Sequence, residues 1–166
     1  LRNRAVVIWG VLQFPGSCDE RDALNACTIA SGGFGGHAKL VWHEETDLSG
    51  FDGIVVPGGF SYGDYLRAGA IARFAPAMGA VADFAAAGGP VLGICNGFQV
   101  LCESGLLPGA LLTNESTRFI CRQGDLIVQE SDSMFLSGYE AGERISIPFK
   151  HQSGRFFAPP EMLEQI

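Results

Sequence analysis

No apolar run in this chain reaches the roughly 18 residues that a membrane-spanning helix needs, so no transmembrane segment is expected. Ala5-Val6-Val7-Ile8 is too short for the core of a signal peptide, and no small-residue cleavage site follows it. The first residue is Leu rather than Met, so the natural N-terminus is expected to lie elsewhere. Positive charge is scarce: 11 Lys and Arg stand against 18 Asp and Glu, for a net charge of −7. The basic residues are also scattered, which argues against a nucleic-acid partner. His37, His43 and His151 are dispersed, and none of the five cysteines forms a Cys-x-x-Cys pair. A metal site is therefore not expected. An odd cysteine count without such spacing fits a reducing compartment, and a cytoplasmic location is expected. Neither an internal repeat nor a linker divides the 166 residues, so one domain spanning 1–166 is expected.

The chain does hold short β-branched runs alternating with helical stretches. Ala5-Val6-Val7-Ile8, Lys39-Leu40-Val41-Trp42, Gly53-Ile54-Val55-Val56 and 90–94 read as buried strands. A helix is predicted over 19–31, capped by Ser17, and Gly32-Gly33-Phe34-Gly35-Gly36 reads as a flexible connection after it. An alanine-rich helix, or two, is predicted over 66–87. Leu126-Ile127-Val128 and Ile145-Ser146-Ile147 suggest two further, less regular strands. Alternation of this kind implies an α/β fold, a flavodoxin-like three-layer sandwich with a mainly parallel central sheet. Chemistry in such sheets collects at the carboxyl ends of the strands.

Cys95 lies at one of those ends. The strand leads into Gly93-Ile94-Cys95-Asn96-Gly97 and a helix begins at about Phe98, which is the layout of a nucleophile elbow with Cys in place of Ser. A thiol at a helix start is favoured as the thiolate. Pro57-Gly58-Gly59 follows another strand end, and its backbone N–H groups can supply half of an oxyanion hole, with the N–H of Asn96 as the other half. It lacks the Gly-Lys-Ser/Thr ending of a phosphate loop. Gln99, four residues after Cys95, shares its helix face and can reach the same pocket. Asn114, Ser116, Arg118 and Phe119 form a polar cluster whose plain alternative is a solvated loop. Cys27 and Cys102 sit among apolar neighbours and read as core. His43, beside Trp42, reads as a packed surface histidine.

Phe14-Pro15-Gly16-Ser17, Leu40-Val41-Trp42-His43, the stretches 57–71, 90–112 and 114–122, and Gly138-Tyr139 carry a resemblance that covers most of the chain. It resembles the glutamine amidotransferase subunits of phosphoribosylformylglycinamidine synthases, a branch of the class I glutamine amidotransferases. The Gly-Gly-Phe-Ser-Tyr-Gly-Asp-Tyr-Leu-Arg-Ala-Gly run belongs to this branch, whereas Gly-x-Cys-x-Gly marks class I in general. The resemblance implies a glutaminase of purine biosynthesis. Cys95 would attack glutamine, Gly59 and Asn96 would hold the oxyanion, and Gln99 and Asn114 would contact the substrate. The ammonia would pass to a synthetase subunit that uses ATP and Mg. A small third subunit is a further implied partner, and this subunit itself would carry no cofactor.

The chain also departs from that family. The family's catalytic His and Glu belong to a Pro-His-Pro-Glu type segment that this sequence does not contain. His151 is carried only as a candidate base; its stretch resembles a different family segment, with Ser153 at a usually acidic position. The Asn usual before Cys18 is absent, and Trp9-Gly10-Val11 reads as an insertion. Two alternatives stay open at this point: a truncated, inactive subunit that only docks on a synthetase, or another cysteine hydrolase of the same superfamily. The second usually places a His directly after the nucleophile, where this chain has Asn96.

Overall fold

The computed structural model describes residues 6–32, 36–129 and 133–164. Its elements run β1 (Ile8–Gln13), α1 (Glu20–Gly32), β2 (His37–Trp42), β3 (Gly53–Val56), α2 (Pro76–Ala86), β4 (Val91–Gly93), α3 (Asn96–Glu103), β5 (Ala110–Leu112), β6 (Ile120–Ile127), β7 (Arg144–His151), β8 (Arg155–Phe157) and α4 (Pro160–Leu163). Short 3-10 turns occupy Ser61–Asp64 and Ala72–Phe74. The chain divides into two compact units. One comprises Leu1–Leu112 and Phe156–Ile166, the other Thr113–Arg155.

The first unit is built on a four-stranded parallel sheet in the order β2-β1-β3-β4. Alternate residues of each strand face opposite sides, as the strand repeat requires. Leu12, Val41, Ile54 and Val56 pack with Met78 and Val81 of α2 and Val100 and Leu101 of α3. Val11 and Val55 face the other way, where Trp9, Leu40 and Leu92 join Ala23, Leu24 and Cys27 of α1. Helices therefore cover both faces, and the expected flavodoxin-like α/β class is the one observed. Burying both faces removes the polar alternation from these strands, which explains why they read as continuous apolar runs.

Several boundaries differ from the sequence reading. The first strand is Ile8–Gln13 rather than a run ending at Ile8, and Trp9-Gly10-Val11 form its middle, paired on both sides. Gly10 interrupts the apolar pattern without interrupting the strand. Ala5 and Gly33-Phe34-Gly35 lie outside the described residues. Ser17 does not cap α1; its hydroxyl accepts a hydrogen bond from the Phe14 N–H at 3.0 Å, closing the turn that ends β1. The alanine-rich stretch is helical as α2 only from Pro76. Proline at the first helical position holds Ala75 in extended backbone, with ψ at 140°, and separates α2 from the turn before it. The two strands expected to be irregular form an eight-residue antiparallel ribbon, β6 with β7, in the second unit. Among the described residues no helix is long and apolar enough to cross a membrane.

Candidate functional site

Three loops meet at the carboxyl edge of the parallel sheet: the one after β1, the one after β3 and the turn from β4 into α3. Cys95 occupies the last. Its φ of 52° and ψ of −109° lie in a region that non-glycine residues rarely adopt. Such a conformation costs on the order of 1–3 kcal/mol and persists only where the surroundings enforce it. They do so here through the backbone. Ile94 N–H donates to Val56 O at 2.9 Å, which ties the entrance of the turn to β3. Gly97 N–H donates to Ile94 O at 2.8 Å and closes the turn, and Gln99 N–H donates to Cys95 O at 3.2 Å. Gly97 lies so close to β3 that a methyl group there would run into Val56 O. The start of α3 is thus pressed against the end of β3, and the thiol is left exposed at the helix N-terminus.

The side chain of Asn96 locks the turn from below. It is 3% exposed. Its Oδ1 accepts from Ser61 N–H at 3.0 Å, and its Nδ2 donates to Asp64 Oδ1 at 2.9 Å and to Gln99 Oε1 at 3.0 Å. One amide therefore joins the elbow, the loop after β3 and α3. Burial pushes the Asp64 carboxyl above its ordinary value, and the hydrogen bonds from Asn96 and Gly69 oppose that rise. Gln99 is 8% exposed, so the residue sits behind the elbow with its amide oxygen held by Asn96. Ser61 is buried alongside, and its hydroxyl has no hydrogen-bond partner among the described residues.

Gly58 and Gly59 approach the thiol from β3. A methyl group on Gly58 would touch Cys95 Cβ at 3.5 Å on one side and collide with Asp19 Oδ2 on the other. Gly59 has φ +139°, and a side chain there would strike the backbone of Cys18 at 2.5 Å. Glycine is required at Gly59, where the clash is with backbone and φ is positive; at Gly58 a side chain would displace the Asp19 carboxylate. The loop is held by Cys18 N–H to Gly58 O at 3.3 Å and Phe60 N–H to Gly16 O at 2.9 Å. These bonds flank the Ser17–Gly59 bridge and turn the amide of Gly59 away from Ser17. Among the described residues, neither the Gly59 N–H nor the Asn96 N–H donates to a protein acceptor.

The other cysteines differ. Cys102 is buried and Cys27 half-buried, and burial raises both thiols, which keeps them protonated at neutral pH. Both lie in the core as read from the sequence. His43 Nδ1 lies 2.7 Å from the Tyr62 hydroxyl, and its ring meets Trp42 edge-on.

Asn114 and His151 belong to the second unit. Asn114 Nδ2 donates to Arg118 O at 2.9 Å and to His151 O at 3.0 Å. Carbonyls only accept, so this fixes the orientation of the amide. Oδ1 then faces His151 Nδ1 and Gly154 N–H, both at 3.0 Å. His151 must carry its proton on Nδ1, and its ring stacks on Phe149 at 5.5 Å. Both donors and both acceptor positions of Asn114 are thus engaged inside the unit. Asn114 thereby ties the loop 114–118 to the end of β7. Sequence reading also missed the side chains of Asn96 and Asp19. Neither contact has a signature in local spacing: Asn96 enters the sequence reading only through its backbone N–H, and Asp19 only as the first residue of the predicted helix 19–31.

Residues 6–166 match the model of the CobB/CobQ-like glutamine amidotransferase domain. The chain belongs to this glutamine amidotransferase family. Known amidotransferases resemble it along nearly its whole length. The phosphoribosylformylglycinamidine synthase subunit PurQ of Rhodococcus jostii (strain RHA1) is 54% identical over 157 residues, covering 95% of this chain and 68% of that protein. The corresponding subunit of Synechococcus sp. (strain JA-3-3Ab) is 49% identical over 162 residues, covering 98% of this chain and 71% of that protein. Among solved structures, that of PurLQS from Thermotoga maritima matches with a TM-score of 0.87 and 41% identity, over 93% of this chain and 71% of that one. The amidotransferase assignment gives the elbow its reaction class, the transfer of an amide nitrogen.

Proposed function

We propose that this chain is the glutaminase component of a phosphoribosylformylglycinamidine synthase, with Cys95 as its nucleophile. The carrying observation is the Cys95 backbone, held at positive φ between β4 and α3 and against Gly58. In this reading the thiolate attacks the side-chain amide carbon of glutamine. The developing oxyanion is received by the N–H groups of Gly59 and Asn96, which have no protein acceptor among the described residues. Ammonia departs after taking a proton, and water hydrolyses the glutamyl thioester to glutamate. Gln99 acts as a positioning residue, bracing Asn96 under the elbow rather than gripping substrate. His151 has a structural role, fixed by Asn114 and Phe149.

The partner in this proposal is the synthetase subunit, as the relatives' names and the PurLQS structure support. ATP and Mg belong to that partner, and a small third subunit completes the assembly. The Asn96 side chain counts against a cysteine hydrolase that uses the residue after the nucleophile as a base, because that amide is buried and triply bonded. The test is carried out on the chain assembled with its synthetase. Cys95→Ala is expected to lower glutamine-dependent amidine formation by at least about 1,000-fold, while turnover on added ammonia continues. Retention of glutamine-dependent turnover by Cys95→Ala would overturn the assignment.

A further inference from the structure

We propose that Asp19 receives the α-ammonium group of the substrate glutamine. The inference rests on the glutaminase reading of Cys95 and extends it to substrate recognition. Asp19 stands at the N-cap of α1: its carbonyl accepts the first helical bond, from Ala23 N–H at 3.0 Å. An aspartate there ordinarily turns its carboxylate back onto the N–H groups of the first turn. This one does not. Among the described residues no donor reaches its carboxylate; Oδ2 lies over Gly58, on the spot that Cys95 Cβ also borders. The backbone holds it there, since Cys18 N–H and Asp19 N–H both donate to Gly58 O at 3.3 Å.

The charge around it is unbalanced. No Lys or Arg occurs in 14–20, 57–64 or 93–97, the three loops that meet at the thiol. On the same turn Glu20 buries its Oε2, which has no partner among the described residues, while its Oε1 is 3.4 Å from Gln13 Nε2. A cation is therefore the complementary ligand. A metal ion is a poor choice, because among the described residues no three His, Cys, Asp or Glu side chains come together to hold one. Glutamine supplies an ammonium at the opposite end from its reacting amide.

The test labels Cys95 in the chain assembled with its synthetase, reading the site by peptide mapping. Three alkylating reagents are compared: a chloroketone analogue of glutamine, the same analogue without its α-amino group, and iodoacetamide as reference for the thiol itself. Wild type is expected to react with the amino analogue about 10–100-fold faster than with its des-amino partner, the range for a hydrogen bond to a charged group. Asp19→Asn should reduce that preference to within about 3-fold, and Asp19→Glu should restore part of it. Rates are normalised to iodoacetamide, so a change in thiol reactivity alone does not enter the comparison. A preference that survives in Asp19→Asn overturns the role of Asp19 and leaves the glutaminase reading intact. Absence of the preference in wild type also overturns it, with no variant needed. If neither analogue outpaces iodoacetamide at wild-type Cys95, the glutaminase reading fails and this inference with it.

Discussion

At the residue scale the decisive groups are those that hold Cys95 where it is. Asn96 does so with three hydrogen bonds, and one of them falls on Asp64. Burial raises the Asp64 carboxyl above its ordinary value of 3.8. A raised folded-state value means that the folded chain holds this proton more tightly than the unfolded chain. The resulting stabilisation is fully present below the ordinary value and is lost as pH rises through the raised one. Asp64→Asn has no such proton to lose. Its stability relative to wild type should therefore increase as pH rises from about 3 and level off once Asp64 is ionised in the fold. Urea unfolding of both proteins across that range checks the sign. A difference that stays flat, or falls with pH, would show that Asp64 is not desolvated beneath the elbow.

At the scale of elements, the site depends on α3 lying against the end of β3. Gly97 makes that contact possible, because any Cβ would meet the Val56 carbonyl. Gly97→Ala should cost about 1–3 kcal/mol, the usual range for overpacking. For a chain of this size that is roughly 2–4 °C of melting temperature per kcal/mol. The same substitution should slow Cys95 alkylation by the glutamine analogue, since the turn moves with the helix. Thermal unfolding and labelling measured together test the point. An unchanged melting temperature would be the contrary result. The position of α2 is decided by a different local rule. Pro76 starts the helix and holds Ala75 extended, so the alanine-rich stretch before it cannot simply continue into α2.

At the scale of the whole molecule, the second unit has its own organiser. Asn114 joins the loop 114–118 to the end of β7 through its amide. Asn114→Ala leaves two carbonyls and two N–H groups, those of Gly154 and of His151 Nδ1, without that partner and should cost about 1–3 kcal/mol locally. Hydrogen exchange across 113–155 should then quicken, whereas unchanged protection there would contradict the organising role. The sequence carried no hint of this, because residues 114 and 154 are far apart in the chain and meet only once β6 and β7 have paired. What the sequence determined by itself was the α/β class, three of the four parallel strands to within a few residues, and the place of Cys95 at a strand end. These are legible because hydrophobic period, glycine placement and helix starts are local properties of the chain. Tertiary structure alone decided which groups surround the thiol. It turned Asn96 inward as a brace, drew Gln99 behind the elbow and set Asp19 across Gly58 from Cys95. Those outcomes depend on which loops the sheet order brings together, and strand order is a long-range property that no local spacing encodes.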